Sequence, residues 1–247
     1  MAVPVAAEVM LSTNRNPNNA TPQLYALRPL RLAWVNETNE GARLDAGRIK
    51  LLTGGGQVTA RPLYGKPVSF APRYLLALVT NCKPHASPDD YALWKRLLLI
   101  PFTQSFVDDP DPDLACEHKR DPRLLDRLRV EAPGILAWLV RGCLAWQRDG
   151  LNPPPAVLAA TGEYREEEDS VGQFLAECCL IRPGVRVDAG VLYSAFDRWA
   201  RESGQENMGN IAFGKRLARR KGIDKSRNAG GCIYLGLALL AKNVRSV

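Results

Sequence analysis

YLLALVTN, Tyr74 to Asn81, is the stretch on which the fold turns. It is a continuous apolar run that ends on a polar side chain, without the alternation of a half-exposed strand. Such a run reads as a strand buried on both faces. Upstream, RLAWVNE (Arg31 to Glu37) has the same form and the same polar end. Downstream, LLLIPF (Leu97 to Phe102) reads as a third buried strand. Between them, ARLDAGRIKLL (Ala42 to Leu52) sets Leu44, Ile49, Leu51 and Leu52 at helical spacing and is stopped by TGGG. QVTARPLYGKPVSF (Gln57 to Phe70) alternates weakly around Tyr64-Gly65-Lys66, as a hairpin with a tight tip does. SPDDYALWKR (Ser87 to Arg96) opens on a capping serine, a proline and two acids, a helix start. Continuous strands separated by helices predict an α/β core.

Beyond Phe102 the pattern turns helical. After the loop VDDPDPD (Val107 to Asp113), helices are predicted near Leu124 to Arg129 and over EAPGILAWLVRGCLAWQRDG (Glu131 to Gly150). The second carries a stripe of Ile135, Leu136, Leu139, Val140, Cys143, Leu144 and Trp146. NPPP (Asn152 to Pro155) punctuates, and EYREEED (Glu163 to Asp169) is an acidic helix end or linker. The rest reads as helices over Ser170 to Leu180, Ala189 to Ser203 and Asn210 to Lys221, then a hairpin over Lys225 to Leu237 turning at Gly230-Gly231. That order predicts a winged helix, a helix-turn-helix variant.

The last of those helices contains GNIAFGKR (Gly209 to Arg216), which has the glycine and lysine spacing of a phosphate-binding P-loop. The mechanics do not follow. A P-loop leaves a buried strand and places Ser or Thr after its lysine for Mg²⁺. Here the preceding residues are polar, and Arg216 stands at the magnesium position. We read the segment as a recognition helix with Ile211, Phe213 and Leu217 inward and Lys215, Arg216, Arg219, Arg220 and Lys221 outward. Its lysine then meets DNA phosphate rather than ATP. A winged helix that binds protein is the plainer alternative.

Bulk composition agrees. The 247 residues carry a net charge of +7, and all of it lies in residues 171–247, which hold 13 Lys and Arg against 6 Asp and Glu. Residues 1–170 are balanced. This asymmetry suggests a polyanion-binding C-terminal domain, with a basic surface kept for solubility as the bland reading. No apolar run is long enough to span a membrane, and the N-terminus makes a poor signal peptide. The six cysteines form no C-x-x-C pair and there are two histidines, so no zinc site is expected and the thiols read as reduced and mostly packed.

Three residues of the core point to nucleotide chemistry. Glu37 and Asn81 each follow a strand at its C-terminal end, where open α/β sheets bind ligands. The carboxylate suits Mg²⁺ or an attacking water, and the amide suits orienting that water. Arg96, between helix and strand, suits an arginine finger reaching a neighbouring subunit. Each has an ordinary reading too, as a cap, a turn residue or a salt-bridge partner.

The ordered motifs of Arg31 to Phe102, with EAPGILAWLVRGCLAW and GLNPPPAV…EYREEEDSVGQFL after them, resemble the C-terminal half of phage and plasmid primase–helicases of helicase superfamily 3, relatives of the poxvirus-type primase–helicases. The resemblance implies a partial AAA+-like core over residues 1–105, a helical lid over 106–169 and a winged helix over 170–247. It makes Glu37 the Walker B acid and metal contact, Asn81 the sensor asparagine and Arg96 the arginine finger. Lys50 through Phe70 match the family's motif after Walker B, whose hairpin tracks single-stranded DNA in the pore of a hexameric ring, with Lys66 at or near its tip and Lys50 and Arg61 nearby. It implies ATP and Mg²⁺ as cofactors, single-stranded DNA in the pore, duplex or junction DNA at the winged helix, and the cytoplasm of a bacterial host of a phage or integrated element. The chain departs from the family pattern at Gly54-Gly55-Gly56, where Gly-Gly-Asp is usual, at Lys95-Arg96, where paired arginines are common, and at Asn36, where a first acid often stands. These 247 residues contain no P-loop upstream of Glu37, so the chain by itself is expected not to turn over ATP, a separate N-terminal half carrying the P-loop being the implied partner. The alternative is a non-enzymatic winged-helix DNA-binding or adaptor protein.

Overall fold

The computed structural model describes residues 1–12, 20–36, 40–205, 207–228 and 231–240. Mixed α and β elements form two compact units, Met1–Leu97 with Glu163–Val247, and Leu98–Gly162.

Three short parallel strands build the N-terminal sheet: β1 (Ala2–Pro4), β2 (Leu32–Asn36) and β5 (Leu75–Val79), in the order β1-β2-β5. The two apolar runs that predicted strands pair in register, from Leu32 with Leu75 to Asn36 with Val79. Their burial is less complete than continuous hydrophobicity implies. Ala33 and Val35 are fully buried, but Leu75 and Val79 of β5 stay exposed, because β5 is an edge of this sheet among the described residues. Leu27, Leu30, Leu52 and Val58 complete the core beneath β2.

Helix α1 (Pro22–Tyr25) precedes the sheet's central strand, and α2 (Ala46–Thr53) follows it. α2 starts later than its apolar spacing implies. Asp45 caps it by accepting from Arg48 N at 2.9 Å, while Arg43 and Leu44 pair as isolated bridges with His85 and Leu11. Ile49 and Leu52 face the core and Leu51 faces out. The hairpin is as expected: β3 (Val58–Ala60) pairs antiparallel with β4 (Val68–Phe70). Its tip is exposed, and Tyr64 sits at φ 58°, a left-handed backbone that aromatic residues rarely adopt. Helix α3 (Tyr91–Trp94) is a single turn capped by Asp90 rather than Ser87. LLLIPF is not a strand. Leu99 N donates to Thr161 Oγ1 at 2.9 Å instead of to a neighbouring strand, Pro101 has no N–H to give, and Ile100 and Phe102 are exposed.

Within Leu98–Gly162, β6 (Ser105–Val107) pairs parallel with β7 (Glu117–Lys119) across the Asp- and Pro-rich loop. Helices α4 (Leu124–Val130) and α5 (Ala132–Asp149) form where the pattern placed them, and α6 (Pro155–Glu167) leads out of the unit. None of residues 98–162 is buried; the α5 stripe, including Leu136, Leu139 and Trp146, is exposed.

The C-terminal region runs α7 (Ser170–Cys178), β8 (Cys179–Asp188), α8 (Ala189–Glu202), α9 (Asn210–Leu217), β9 (Asp224–Asn228) and β10 (Gly231–Leu239). Its sheet has the order β8-β10-β9, all antiparallel. Strand β8 was not legible, because Pro183-Gly184 reads as a turn. The structure absorbs that dipeptide in a bulge opposite Gly236, whose φ of 79° and close approach to the Gly222 carbonyl leave no room for a side chain. The core is aromatic: Phe174 meets Phe196 edge-on at 5.5 Å, and Phe196 stacks on Phe213 at 4.5 Å. Asp169 and Asp188 cap α7 and α8, each worth about 1 kcal/mol. Phe213 and Leu217 are buried as expected, whereas Ile211 is 80% exposed, since it lies in the first turn of α9 on the side away from the aromatic cluster. Gly230 lies outside the described residues.

All six cysteines are thiols. Cys178 and Cys179 are packed, but Cys82, Cys116 and Cys143 are exposed, against the expectation of mostly buried thiols. Among the described residues no helix is long and apolar enough to cross a membrane.

Candidate functional site

The parallel register brings the ends of β2 and β5 to one edge of the sheet. Asn36 ends β2 opposite Val79, which ends β5. Glu37, next in sequence, lies outside the described residues. Asn81 follows β5 and is exposed beside a tight turn in which Thr80 Oγ1 donates to Cys82 O at 3.0 Å and accepts from Cys82 N at 3.2 Å. Arg96 is exposed at the end of α3, its guanidinium donating back to Ala92 O at 2.7 Å.

The segment after Asn81 is a junction. Residues 83–88 are clasped by the last turn of α6: Lys83 pairs with Glu167, Ala86 N donates to Glu168 Oε2 at 2.7 Å, and His85 Nδ1 lies 3.3 Å from Glu168 Oε1. The Tyr164 hydroxyl donates to Pro84 O and Arg165 Nε to Pro88 O at 2.9 Å. Burial, then the charges of Glu168 and Glu167, push the Tyr164 phenol well above its ordinary value, so it remains a donor. The acidic run EYREEED is therefore a clasp rather than a solvated linker.

Asp89 and Asp90 carry the junction further. Asp90 takes Lys50 Nζ of α2 at 2.8 Å and caps α3; the lysine bond, outweighing desolvation, holds its carboxyl below the usual value. The helix expected to run to Lys221 ends at Leu217, so Asp89 faces the end of α9 and the turn after it, with Arg219 Nη1 at 3.5 Å and Arg216 Nε at 4.0 Å. Arg220 Nη2 binds both oxygens of Asp169, the α7 cap, at 2.6 Å to Oδ2. So of the five basic residues read as outward, Lys215 and Lys221 are exposed, Arg216 and Arg219 face Asp89, and Arg220 is tied to Asp169. No local pattern announces these pairs, which join residues far apart in sequence.

On the hairpin, Lys66 is exposed at the tip and Arg61, at its base, exchanges backbone contacts with Thr21. Its neighbours Leu63 and Tyr64 are exposed and apolar, and the pattern marked Tyr64 only as part of the turn; the flanking Pro62 and Pro67 were the available signal that the tip is stiff. Among the described residues no group of three or more His, Cys, Asp or Glu is placed to hold a metal ion, and Glu37, the expected metal contact, lies outside them.

The chain is similar to viral proteins described as putative helicases and primases. It is 30% identical over 210 residues to putative helicase 022R of Frog virus 3, covering 80% of this chain and 21% of that protein. It is 25% identical over 196 residues to putative helicase L207/L206 of Acanthamoeba polyphaga mimivirus, covering 74% and 20%. With putative primase C962R of African swine fever virus the identity is 24% over 197 residues, covering 76% and 20%. The chain thus spans about a fifth of the length of the curated relatives it matches. No family model matches it. At family level the likeness is to helicase- and primase-type replication proteins.

Proposed function

We propose that this chain is the C-terminal part of a superfamily 3 DNA helicase–primase of phage or plasmid type, acting in replication in the cytoplasm of a bacterial host. The observation that carries the reading is the parallel β2–β5 pair, which sets the position before Glu37 and the position before Thr80-Asn81 in register at one sheet edge. Similarity to viral helicases over most of the chain supports it. In this reading Glu37 would hold Mg²⁺, Asn81 would orient water, and Arg96 would serve a neighbour's nucleotide in a hexameric ring. Lys66 and Arg61 meet single-stranded DNA, while Lys50 braces α2 on Asp90. The phosphate cradle comes from residues outside these 247, and the exposed edge of β5 is a ready place for an added strand.

The C-terminal region is read as a winged helix, supported by its order of helix, strand, two helices and hairpin with β8 beside β10. Among the described residues its core draws on those from Val171 onward, which favours a second reading: a DNA-binding or adaptor module that works without ATP.

Two measurements test these readings. Phosphate release by the purified chain should be at background; turnover abolished by Glu37→Gln would overturn the inactive assignment. Duplex DNA should bind with a steep salt dependence, and Lys215→Glu with Lys221→Glu should weaken it and flatten the slope by about 1–2. Unchanged binding would remove α9 from the interface. Binding lost on Lys66→Glu but kept in the α9 variants would favour the pore hairpin and count against the stand-alone module.

A further inference from the structure

The arginines at the end of α9 and in the turn after it are already engaged. Asp89, 13% exposed, sits where a phosphate would sit if α9 bound DNA, between Arg216 and Arg219. The loop presenting it is well fixed. Trp94 Nε1 donates to Ser87 O at 2.8 Å, Arg165 holds Pro88 O, and Asp90 is pinned by Lys50. The pairs themselves are loose. At 3.5 and 4.0 Å neither is a charge-assisted hydrogen bond, which closes at about 2.7–2.9 Å. Arg219 is 64% exposed, so solvent screens its share further. A firmly held carboxylate with weak partners is a good placeholder and a poor lock.

We propose that Asp89 is an internal competitor for nucleic-acid phosphate at α9, so that DNA binding there requires the Asp89 contact to open. The proposal rests on the DNA-binding reading of α9. Exchange is favourable because a phosphate offers several acceptor oxygens and releases counterions, whereas Asp89 offers one oxygen at long range. Lys215 and Lys221, exposed, make the first encounter, and Arg216 and Arg219 join once Asp89 yields. Because Asp89 belongs to the same loop that follows Asn81, opening is felt in α3. By reciprocity, whatever loosens that loop strengthens DNA binding. Asp169 is a different case. It caps α7 as well as holding Arg220, so it is part of the fold and is left intact in the test.

The test is anisotropy of a short fluorescein-labelled duplex against the full chain at several salt concentrations. Asp89→Asn, nearly isosteric, should tighten binding about threefold to tenfold, because the carboxylate that competes for Arg216 and Arg219 is gone. Arg219→Gln in that background should remove most of the gain. Affinity equal to wild type would overturn the proposal while the DNA reading stands, provided the Lys215→Glu, Lys221→Glu variant still weakens binding. No duplex binding by any variant would overturn the DNA reading and the proposal together. Should Asp89→Asn not fold, amide exchange decides with the wild-type chain. Saturating duplex should speed exchange at Leu93 to Lys95 several-fold, and unchanged exchange would overturn the competitor role.

Discussion

Helices α8 and α5 carry the same kind of stripe and meet different fates. α8 buries Leu192, Ala195, Phe196, Trp199 and Ala200, and its tryptophan Nε1 finds Glu177 at 2.8 Å. α5 is longer and its stripe is as apolar, yet Leu136, Trp138, Leu139, Val140 and Leu144 are each half exposed or more. The difference lies in what the neighbouring sequence supplies. Around α8, helices α7 and α9 each contribute a phenylalanine to one cluster, and β10 closes it with Tyr234 and Leu237. Around α5, the polar loop and the short β6–β7 pair offer nothing comparable within residues 98–162. Amphipathic spacing states which face a helix will bury, and not what will cover it.

That contrast can be broken at several points. The largest effect belongs to Phe196→Ala, which empties the centre of the aromatic cluster and should destabilise the C-terminal region by about 3–5 kcal/mol in urea unfolding. A loss under 1 kcal/mol would mean that the cluster does not pack as described. Asp188→Ala removes the α8 cap and should cost about 1 kcal/mol by the same measurement. A smaller, pH-dependent effect comes from Asp90. Its folded-state carboxyl is held low, so its stabilisation is present above the ordinary aspartate range and is lost as pH falls through the depressed folded value. Lys50→Met should shrink that acid-side loss, and melts at neutral and acid pH would detect it. The smallest effect sharpens the contrast from the other side. Leu139→Ala in α5 should change stability by no more than about 0.5 kcal/mol. A loss comparable to that of Phe196→Ala would show the α5 stripe to be covered in solution.

What the sequence disclosed follows the same division between local and distant causes. β2, β5, the hairpin and α7 to α9 were legible because apolar runs, turn glycines and caps are local signals. β8 was hidden by Pro183-Gly184, since a bulge and a turn use the same residues. LLLIPF looked like a strand because hydrophobicity cannot report whether a pairing edge exists. Of the candidate site, the positions of Asn81 and Lys66 were readable from strand ends and turn chemistry. The ties of Lys50 to Asp90, Arg219 to Asp89 and Arg220 to Asp169 were not, because an ion pair across the fold leaves no periodic trace.

The uneven packing of the thiols gives the molecule a ready set of attachment points. Cys82 is exposed and directly follows Asn81, Cys143 rides on α5, and Cys116 lies between the strands of the β6–β7 pair. Cys178 and Cys179 are shut in the aromatic core, and burial raises the Cys179 thiol to about 12, far from the thiolate that alkylating dyes require. A maleimide fluorophore should therefore label the native chain beside Asn81 and on its open helix while leaving those two core thiols dark.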